Sequence, residues 1–227
     1  MERKEAVRSA YRMTGGNNSY DGMITCSTLS GKAVCRLVWA MNKAECDDYL
    51  GKALSGIPEN FSGRLLEVPV GTGILTMPVY QTMPKADITC LDYSPDMMKQ
   101  AQEKAERLRL KNVTFRQGDV GALPYEDGSF DIVLSLNGFH AFPDKEAAYR
   151  EIFRVLKPGG TFCGCFYVKG EHKRTDWFVR HIYEKAGFFT PPYETVSDLK
   201  ARLDGMYTDV DMGNLKSMAW FVCRKAG

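Results

Sequence analysis

Leu65-Leu66-Glu67-Val68-Pro69-Val70-Gly71-Thr72-Gly73-Ile74-Leu75 decides how this chain folds. An apolar run with an acid near its end breaks into a Gly-x-Gly turn, and apolar residues then return at helical spacing. That order describes a strand, a tight turn and a helix. In an open α/β sheet, small ligands bind in the crevice at the carboxyl ends of the strands. A glycine pair there lets backbone approach a ligand where a Cβ would collide.

Outward from the turn the alternation continues. Strands are expected over 64–68, 87–91, 113–117, 130–136 and 161–168. The near-continuous apolar character of 130–136 suits a strand covered on both faces. Gly164 suggests a close helix approach. Helices are expected over 74–81, where Pro78 shortens or kinks the element, and from Pro95 to about 108. Ser94 is the N-cap of the latter and Asp96 complements its dipole. Further helices are expected over 144–156, stopping at Lys157-Pro158-Gly159-Gly160, over 174–186 and over 196–206. Strands over 208–212 and 217–223, with a turn at Met212-Gly213-Asn214, read as a final antiparallel pair. Residues 1–60 lack strand alternation. They hold a loop at Gly15-Gly16-Asn17-Asn18-Ser19 and helices near 34–41 and 43–54. This part reads as an N-terminal helical cap, and 61–227 as the sheet domain.

The 227 residues suffice for one large α/β domain with an appendage, and the net charge is +2. No basic block argues for nucleic acid or an anionic membrane. No signal-peptide pattern and no run of about 18 apolar residues occurs, so no membrane span is expected. The seven cysteines lack a Cys-x-x-Cys pair. They read as reduced thiols of a cytoplasmic protein. With three scattered histidines, no metal site is expected. Oligomeric state is not readable.

The acids then describe a ligand. Glu67 ends the first strand. Asp92 ends the second, 19 residues after Gly73, where a carboxylate accepts from both hydroxyls of a ribose. Thr76 stands where a dinucleotide site would have its third glycine. Asp119 follows the third strand. Three acids at successive strand tips suit a nucleoside carrying ammonium and sulfonium charge better than a pyrophosphate.

Five stretches carry a family likeness. They are Leu66–Gly73 (Leu66-Glu67-Val68-Pro69-Val70-Gly71-Thr72-Gly73), Leu91-Asp92-Tyr93-Ser94-Pro95-Asp96-Met97, Gln117-Gly118-Asp119-Val120, the run from Leu123 to Val133, and Arg154-Val155-Leu156-Lys157-Pro158-Gly159-Gly160. Over about 62–168 the chain resembles the class I S-adenosylmethionine-dependent methyltransferases, in their small-molecule, ubiquinone/menaquinone-biosynthesis-like branch (methyltransferase type 11). The resemblance implies a Rossmann-like α/β fold with a seven-stranded sheet of order 3-2-1-4-5-7-6, strand 7 antiparallel. It implies S-adenosylmethionine as cofactor and methyl transfer to a small-molecule acceptor. Glu67, Gly71 and Gly73 would line the methionine part, with Pro69 on the same rim. Asp92 would take the ribose hydroxyls, Tyr93 and Met97 would pack near the adenine, and Asp119 and Val120 would face its edge. Asn137 would sit beneath the methyl group. The family usually has glycine where this chain has Pro69, whose fixed φ and missing N–H imply a stiffer, altered rim.

In-line methyl transfer needs alignment above all, worth roughly 7–11 kcal/mol of the barrier. For a hydroxyl or phenol acceptor a base would help, and His140, on the loop after the fourth strand, is the candidate catalytic residue. His172 and His181 read as surface or helix residues. Phe139, Phe142, Phe166, Tyr167, Trp177 and Phe178 are candidates for an apolar acceptor wall or for core. Tyr11 and Tyr20 are candidates for closing over the cofactor. A catalytically inactive S-adenosylmethionine-binding protein (sensor or assembly factor) and a nicotinamide dehydrogenase are the competing readings.

Overall fold

In a computed structural model, residues 21, 22, 24, 25 and 27–227 are described. Tyr11, Tyr20 and the glycine loop at 15–19 lie outside them. The elements are α1 (Leu29–Leu37), α2 (Lys43–Leu54), β1 (Arg64–Glu67), α3 (Met77–Tyr80), β2 (Asp87–Asp92), α4 (Pro95–Arg107), β3 (Val113–Gln117), β4 (Phe130–Leu136), α5 (Lys145–Val155), β5 (Leu156–Tyr167), α6 (Lys173–Phe178), α7 (Val196–Met206), β6 (Asp209–Leu215) and β7 (Met218–Arg224). One sheet of seven strands runs β3-β2-β1-β4-β5-β7-β6. Pairs among β1 to β5 are parallel, and β7 is antiparallel to both β5 and β6. This is the strand order the resemblance implies.

The helices start where a side chain can cap them. Ser94 Oγ accepts from Met97 N at 3.3 Å, and Asp144 Oδ1 accepts from Ala147 N at 2.9 Å. Asn42 with Glu45, and Thr195 with Asp198, form capping boxes. Helix α4 buries Met97, Ala101 and Ala105 at helical spacing, and α5 buries Ala148, Tyr149, Ile152 and Val155. Helix α2 lies against the sheet, where a Cβ on Gly56 would come 2.7 Å from Cys163 Cβ. Lys216 ties α2 to the β6–β7 hairpin through Glu45 Oε1, 2.8 Å away, and also donates to the Ala40 carbonyl.

The differences from expectation have local causes. Helix α1 begins at Leu29 rather than near 34 because Thr28 Oγ1 accepts from Gly31 N at 3.0 Å. It stops before Ala40, whose φ is +56°. Helix α3 is only four residues long, since Pro78 is tolerated in a first turn but not beyond it. The segment expected as one helix over 174–186 is α6 followed by a π-helical turn, Val179–Tyr183. The last turn sits at Lys216-Ser217, between the paired Leu215 and Met218. Gly213 lies inside β6, where a Cβ would come within 3.0 Å of the Trp220 ring opposite. Gly164 accommodates a neighbouring strand rather than a helix, because a Cβ there would be 2.1 Å from the Ser135 carbonyl oxygen. Cys35 is disulfide-bonded, against the expectation of reduced thiols, while Cys46, Cys90, Cys163, Cys165 and Cys223 are buried and outside any disulfide.

Arg154 ties two of the sequence stretches to each other. Its guanidinium donates to Glu151 Oε1 and Oε2, Asp127 Oδ1 and the carbonyls of Leu123 and Tyr125, at 2.8–3.0 Å. One side chain thereby uses all its donors to clamp the loop before β4 onto α5.

Candidate active site

Strand β1 lies inside the sheet, and the chain leaves it for β2 on one side while β4 flanks it on the other. A crevice therefore opens at its carboxyl end. The cavity there is lined by Glu67, Pro69, Gly71, Gly73, Asp92, Tyr93, Met97, Asp119, Val120 and Asn137. These are all ten residues expected to bind the cofactor. Ile24, Ile74, Leu75, Phe142 and Pro143 add apolar wall.

The two glycines of the turn serve different ends. Both have positive φ, +56° at Gly71 and +68° at Gly73. A Cβ on Gly71 would meet nothing within 4 Å, so that position faces open cavity. A Cβ on Gly73 would lie 2.9 Å from Met77 Cγ and 3.1 Å from Ala101 Cβ. Gly71 leaves room for a ligand, and Gly73 lets the turn pack on α3 and α4.

Asp92 braces the turn from the next strand. Its Oδ2 accepts from Gly71 N at 2.7 Å and its Oδ1 from Ser94 N at 2.8 Å. Each oxygen keeps a further lone pair, so acceptor capacity remains toward the cavity. Burial raises Asp92 to about 6, against the pull of the Ser94, Gly71 and Tyr93 amides.

Glu67 is 2% exposed. Tyr80 Oη at 2.8 Å, Thr76 Oγ1 at 3.0 Å and Cys90 Sγ at 3.6 Å all donate to its Oε2. Burial nevertheless dominates and lifts Glu67 to about 8. A buried carboxyl of that kind is neutral at pH 7 until a cation approaches and restores its charge.

Asp119 caps a short 3₁₀ turn, Val120–Ala122, through Gly121 N at 3.0 Å. Tyr93 is 38% exposed on the rim. Asn137 takes a left-handed backbone, φ +55°, donates its N–H to the Cys165 carbonyl at 2.7 Å, and its side chain hydrogen-bonds with buried Tyr49 of α2. Asparagine tolerates that conformation better than most residues.

His140 stands apart from the ten and is not among the cavity-lining residues. Its ring stacks on Phe189 at 4.0 Å and 9°, within a cluster of Trp39, Tyr167, Tyr183 and Tyr193. Burial, helped by the charge of Lys145, holds the imidazole down at about 3, so it stays neutral. Of the expected aromatic wall, Phe142 lines the cavity. Phe139 and Phe166 are core, packed on Tyr149 and Phe221, and Trp177 is 52% exposed. Among the described residues no cluster of histidine, cysteine, aspartate or glutamate could hold a metal.

The sequence reading missed Asp21. Its Oδ1 accepts from Thr72 Oγ1 at 2.6 Å and its Oδ2 pairs with Lys104 Nζ at 2.8 Å. It thereby pins the segment bearing Ile24 to the turn and to α4. Fifty-one residues separate Asp21 from Thr72, and no local pattern announces the pairing.

Comparison with known proteins gives a consistent picture. A family model described as a methyltransferase domain matches residues 62–201, more than half of the chain. A demethylmenaquinone methyltransferase of Thermus thermophilus is 41% identical over 97 residues, 43% of this chain and 44% of that protein. A ubiquinone/menaquinone biosynthesis C-methyltransferase of Shewanella woodyi is 32% identical over 131 residues, 57% of this chain and 51% of that one. The chain spans between 38% and 44% of the length of the demethylmenaquinone methyltransferases it matches. A crystal structure of an S-adenosylmethionine-dependent methyltransferase from Aquifex aeolicus superposes with TM-score 0.61 at 18% identity, covering 92% of this chain and 99% of that one. At that identity it speaks for the fold alone.

Proposed function

Since the chain belongs to the class I S-adenosylmethionine-dependent methyltransferase family, we propose that it transfers a methyl group to a small, apolar acceptor of the quinol class. The observation that carries this reading is the convergence of Glu67, Asp92 and Asp119, from three strand tips, on one cavity beside the open face of Gly71. Such a site suits a cationic nucleoside. The residues fit the cofactor. Asp92 keeps acceptor capacity for ribose hydroxyls, and Glu67 offers a buried carboxyl to the ammonium group. Tyr93, Met97 and Val120 supply apolar surface for adenine, with Asp119 at its edge. Pro69, Gly73 and Asn137 complete the rim.

S-adenosylmethionine supplies a methyl group on a cationic sulfur, an already activated electrophile. The protein's own part is then to bind, orient and exclude water. Ile24, Phe142 and Pro143 keep the cavity apolar, and Asn137 is fixed from two sides by Cys165 and Tyr49. We read His140 as packing in this scheme, so alignment rather than a histidine base carries the rate. Residues 1–60 act as a cap, which the Asp21 and Ile24 contacts support. The quinol class rests on the names of the relatives and on the apolar wall. Among the described residues no helix is long and apolar enough to cross a membrane. Among the described residues the thiols of Cys90, Cys163, Cys165 and Cys223 support a cytoplasmic location, against which the disulfide at Cys35 counts.

The test is release of S-adenosylhomocysteine with short-chain naphthoquinols and benzoquinols, beside calorimetry of cofactor binding. Turnover with a quinol, and cofactor affinity lowered at least about tenfold by Asp92→Ala, are expected. Tight binding without turnover across the panel would leave the inactive reading. Competition by NADH would leave the dehydrogenase reading.

A further inference from the structure

Two helices far apart in sequence build one surface. Arg174 Nη2 donates to the Arg36 carbonyl at 3.0 Å, and Thr175 Oγ1 to the Val38 carbonyl at 2.6 Å. The end of α1 therefore abuts α6. The outward face of α1 carries Leu29, Ala33 and Leu37 at a spacing of four, a stripe along one side of the helix, with Leu29 87% and Leu37 55% exposed. On α6 and its π turn, Trp177 is 52% and Ile182 45% exposed.

The exposure of Ile182 has a specific cause. Continued α-helical spacing would set Ile182, seven residues after Thr175, on the buried side with Thr175 and Val179. The wider π turn places Tyr183 there instead, stacked on Trp39 at 6.1 Å, and leaves Ile182 in solvent. Such turns recur at functional sites.

Bases outnumber acids on this surface. Lys32 and Arg36 flank the α1 stripe, and Lys173, Arg174, Arg180 and Lys185 are all exposed around Trp177 and Ile182. None of these six forms a salt bridge among the described residues. The acids of the same segment, three against six bases, each accept from a neutral donor. Asp176 accepts from Tyr167 Oη and Gly170 N, Glu184 from Tyr193 Oη, and Glu171 from Asn214 Nδ2. Sequence alone showed no basic block because the surface is assembled from 29–37 and 173–185.

We propose that this face, formed by α1, α6 and the π turn, docks on an anionic lipid bilayer, with Trp177, Ile182 and Leu37 entering the headgroup boundary and the surrounding bases contacting the lipid phosphates. Apolar side chains ringed by Lys and Arg, with tryptophan among them, are the makings of an interfacial contact, and the basic ring complements the negative surface potential of such a membrane. A protein partner would leave the excess of bases without purpose unless that partner were strongly acidic. Nucleic acid would leave the Leu29–Ala33–Leu37 stripe unused. The proposal stands apart from the methyl-transfer reading, because docking is measured without cofactor or acceptor.

The full chain is sedimented with vesicles of phosphatidylcholine alone and with phosphatidylcholine containing roughly 30% phosphatidylglycerol. Binding to the anionic vesicles only, abolished at about 0.5 M salt, is expected. Lys173→Glu combined with Arg180→Glu, and separately Trp177→Ser combined with Ile182→Ser, should each lower the partition coefficient at least about tenfold. Circular dichroism melts check that both variants fold. No binding, equal binding to both vesicle types, or binding unchanged in both variants overturns the proposal. So does a dimer lost on Trp177→Ser, or an oligonucleotide complex, in the absence of vesicle binding.

Discussion

Pro69 and Gly138 are in mutual van der Waals register across the crevice. A Cβ built on Gly138 would stand 2.4 Å from Pro69 Cδ, 2.6 Å from Phe142 Cζ and 2.9 Å from Ser135 Oγ. The proline that departs from the family pattern thus has a glycine facing it on the loop that carries Asn137. The pair joins the turn after β1 to the loop beyond β4.

Gly138→Ala is therefore expected to destabilise the protein by about 1–3 kcal/mol in urea unfolding, the usual penalty for overpacking. Gly51→Ala is the control. Gly51 lies inside α2, and a Cβ there meets nothing within 4 Å. It should stabilise by up to about 1 kcal/mol through helix propensity. Equal effects of the two alanines would deny the Pro69–Gly138 contact.

Glu67 predicts a pH dependence of stability. Its folded value, about 8, lies above its ordinary 4.5, so the native state holds the proton more tightly than the unfolded chain. Stability then falls as pH rises through that interval and levels off above it. Asp92 contributes in the same direction, between 3.8 and about 6. His140, held at about 3 in the fold against 6.5 when unfolded, contributes in the opposite sense up to about pH 7, so the window from pH 7 to 8 isolates Glu67. Thermal melts of the unliganded protein should decline across it, and Glu67→Gln should remove most of that decline. Parallel curves would show that Glu67 does not titrate there.

Asp21→Ala removes both the bond from Thr72 and the pairing with Lys104. The segment bearing Ile24 should then be cut faster by proteases, and the Kd for S-adenosylmethionine should rise about three- to tenfold. Unchanged affinity and unchanged cleavage would make Asp21 incidental to the cavity.

His140→Phe keeps the ring stacked on Phe189 and removes the imidazole. Turnover should stay within about fivefold of the parent, and the pH–rate profile of the parent should show no limb near the ordinary histidine value of 6.5. A loss of about 10²-fold together with such a limb would put His140 in the chemistry.

The parts of the fold that were readable in advance are those set by local chemistry. The strands β3 and β4 and the helix α7 have the expected bounds, because alternation, caps and breakers lie within a few residues of each other. The cavity residues were readable for a related reason: Glu67, Asp92 and Asp119 follow strand ends, and parallel strands bring their carboxyl ends together. What escaped is non-local or stereochemical. Asp21 reaches Thr72 across the chain, and Pro69 meets Gly138 through space. The π turn at Val179–Tyr183 changes which residue faces solvent without changing the apolar pattern. Gly213 looked like a turn residue because the sequence does not announce Trp220 opposite it.

The strand order divides the sheet into two blocks of sequence. The carboxylates Glu67, Asp92 and Asp119 all arise from β1, β2 and the end of β3, a continuous block ending near 119. The opposite half of the sheet, β4 to β7, is built from residues after 129. Within the sheet the two halves pair only along the β1–β4 seam, just beyond which Pro69 faces Gly138; outside the sheet the earlier block also holds the later one through Glu45 with Lys216 and the Val38 carbonyl with Thr175. The strand-tip carboxylates thus belong to a block that can be kept whole only while those contacts are matched. Chimaeras joined in the loop before β4 therefore have to keep Gly138, Thr175 and Lys216 in the later block, to match Pro69, the Val38 carbonyl and Glu45 in the earlier one.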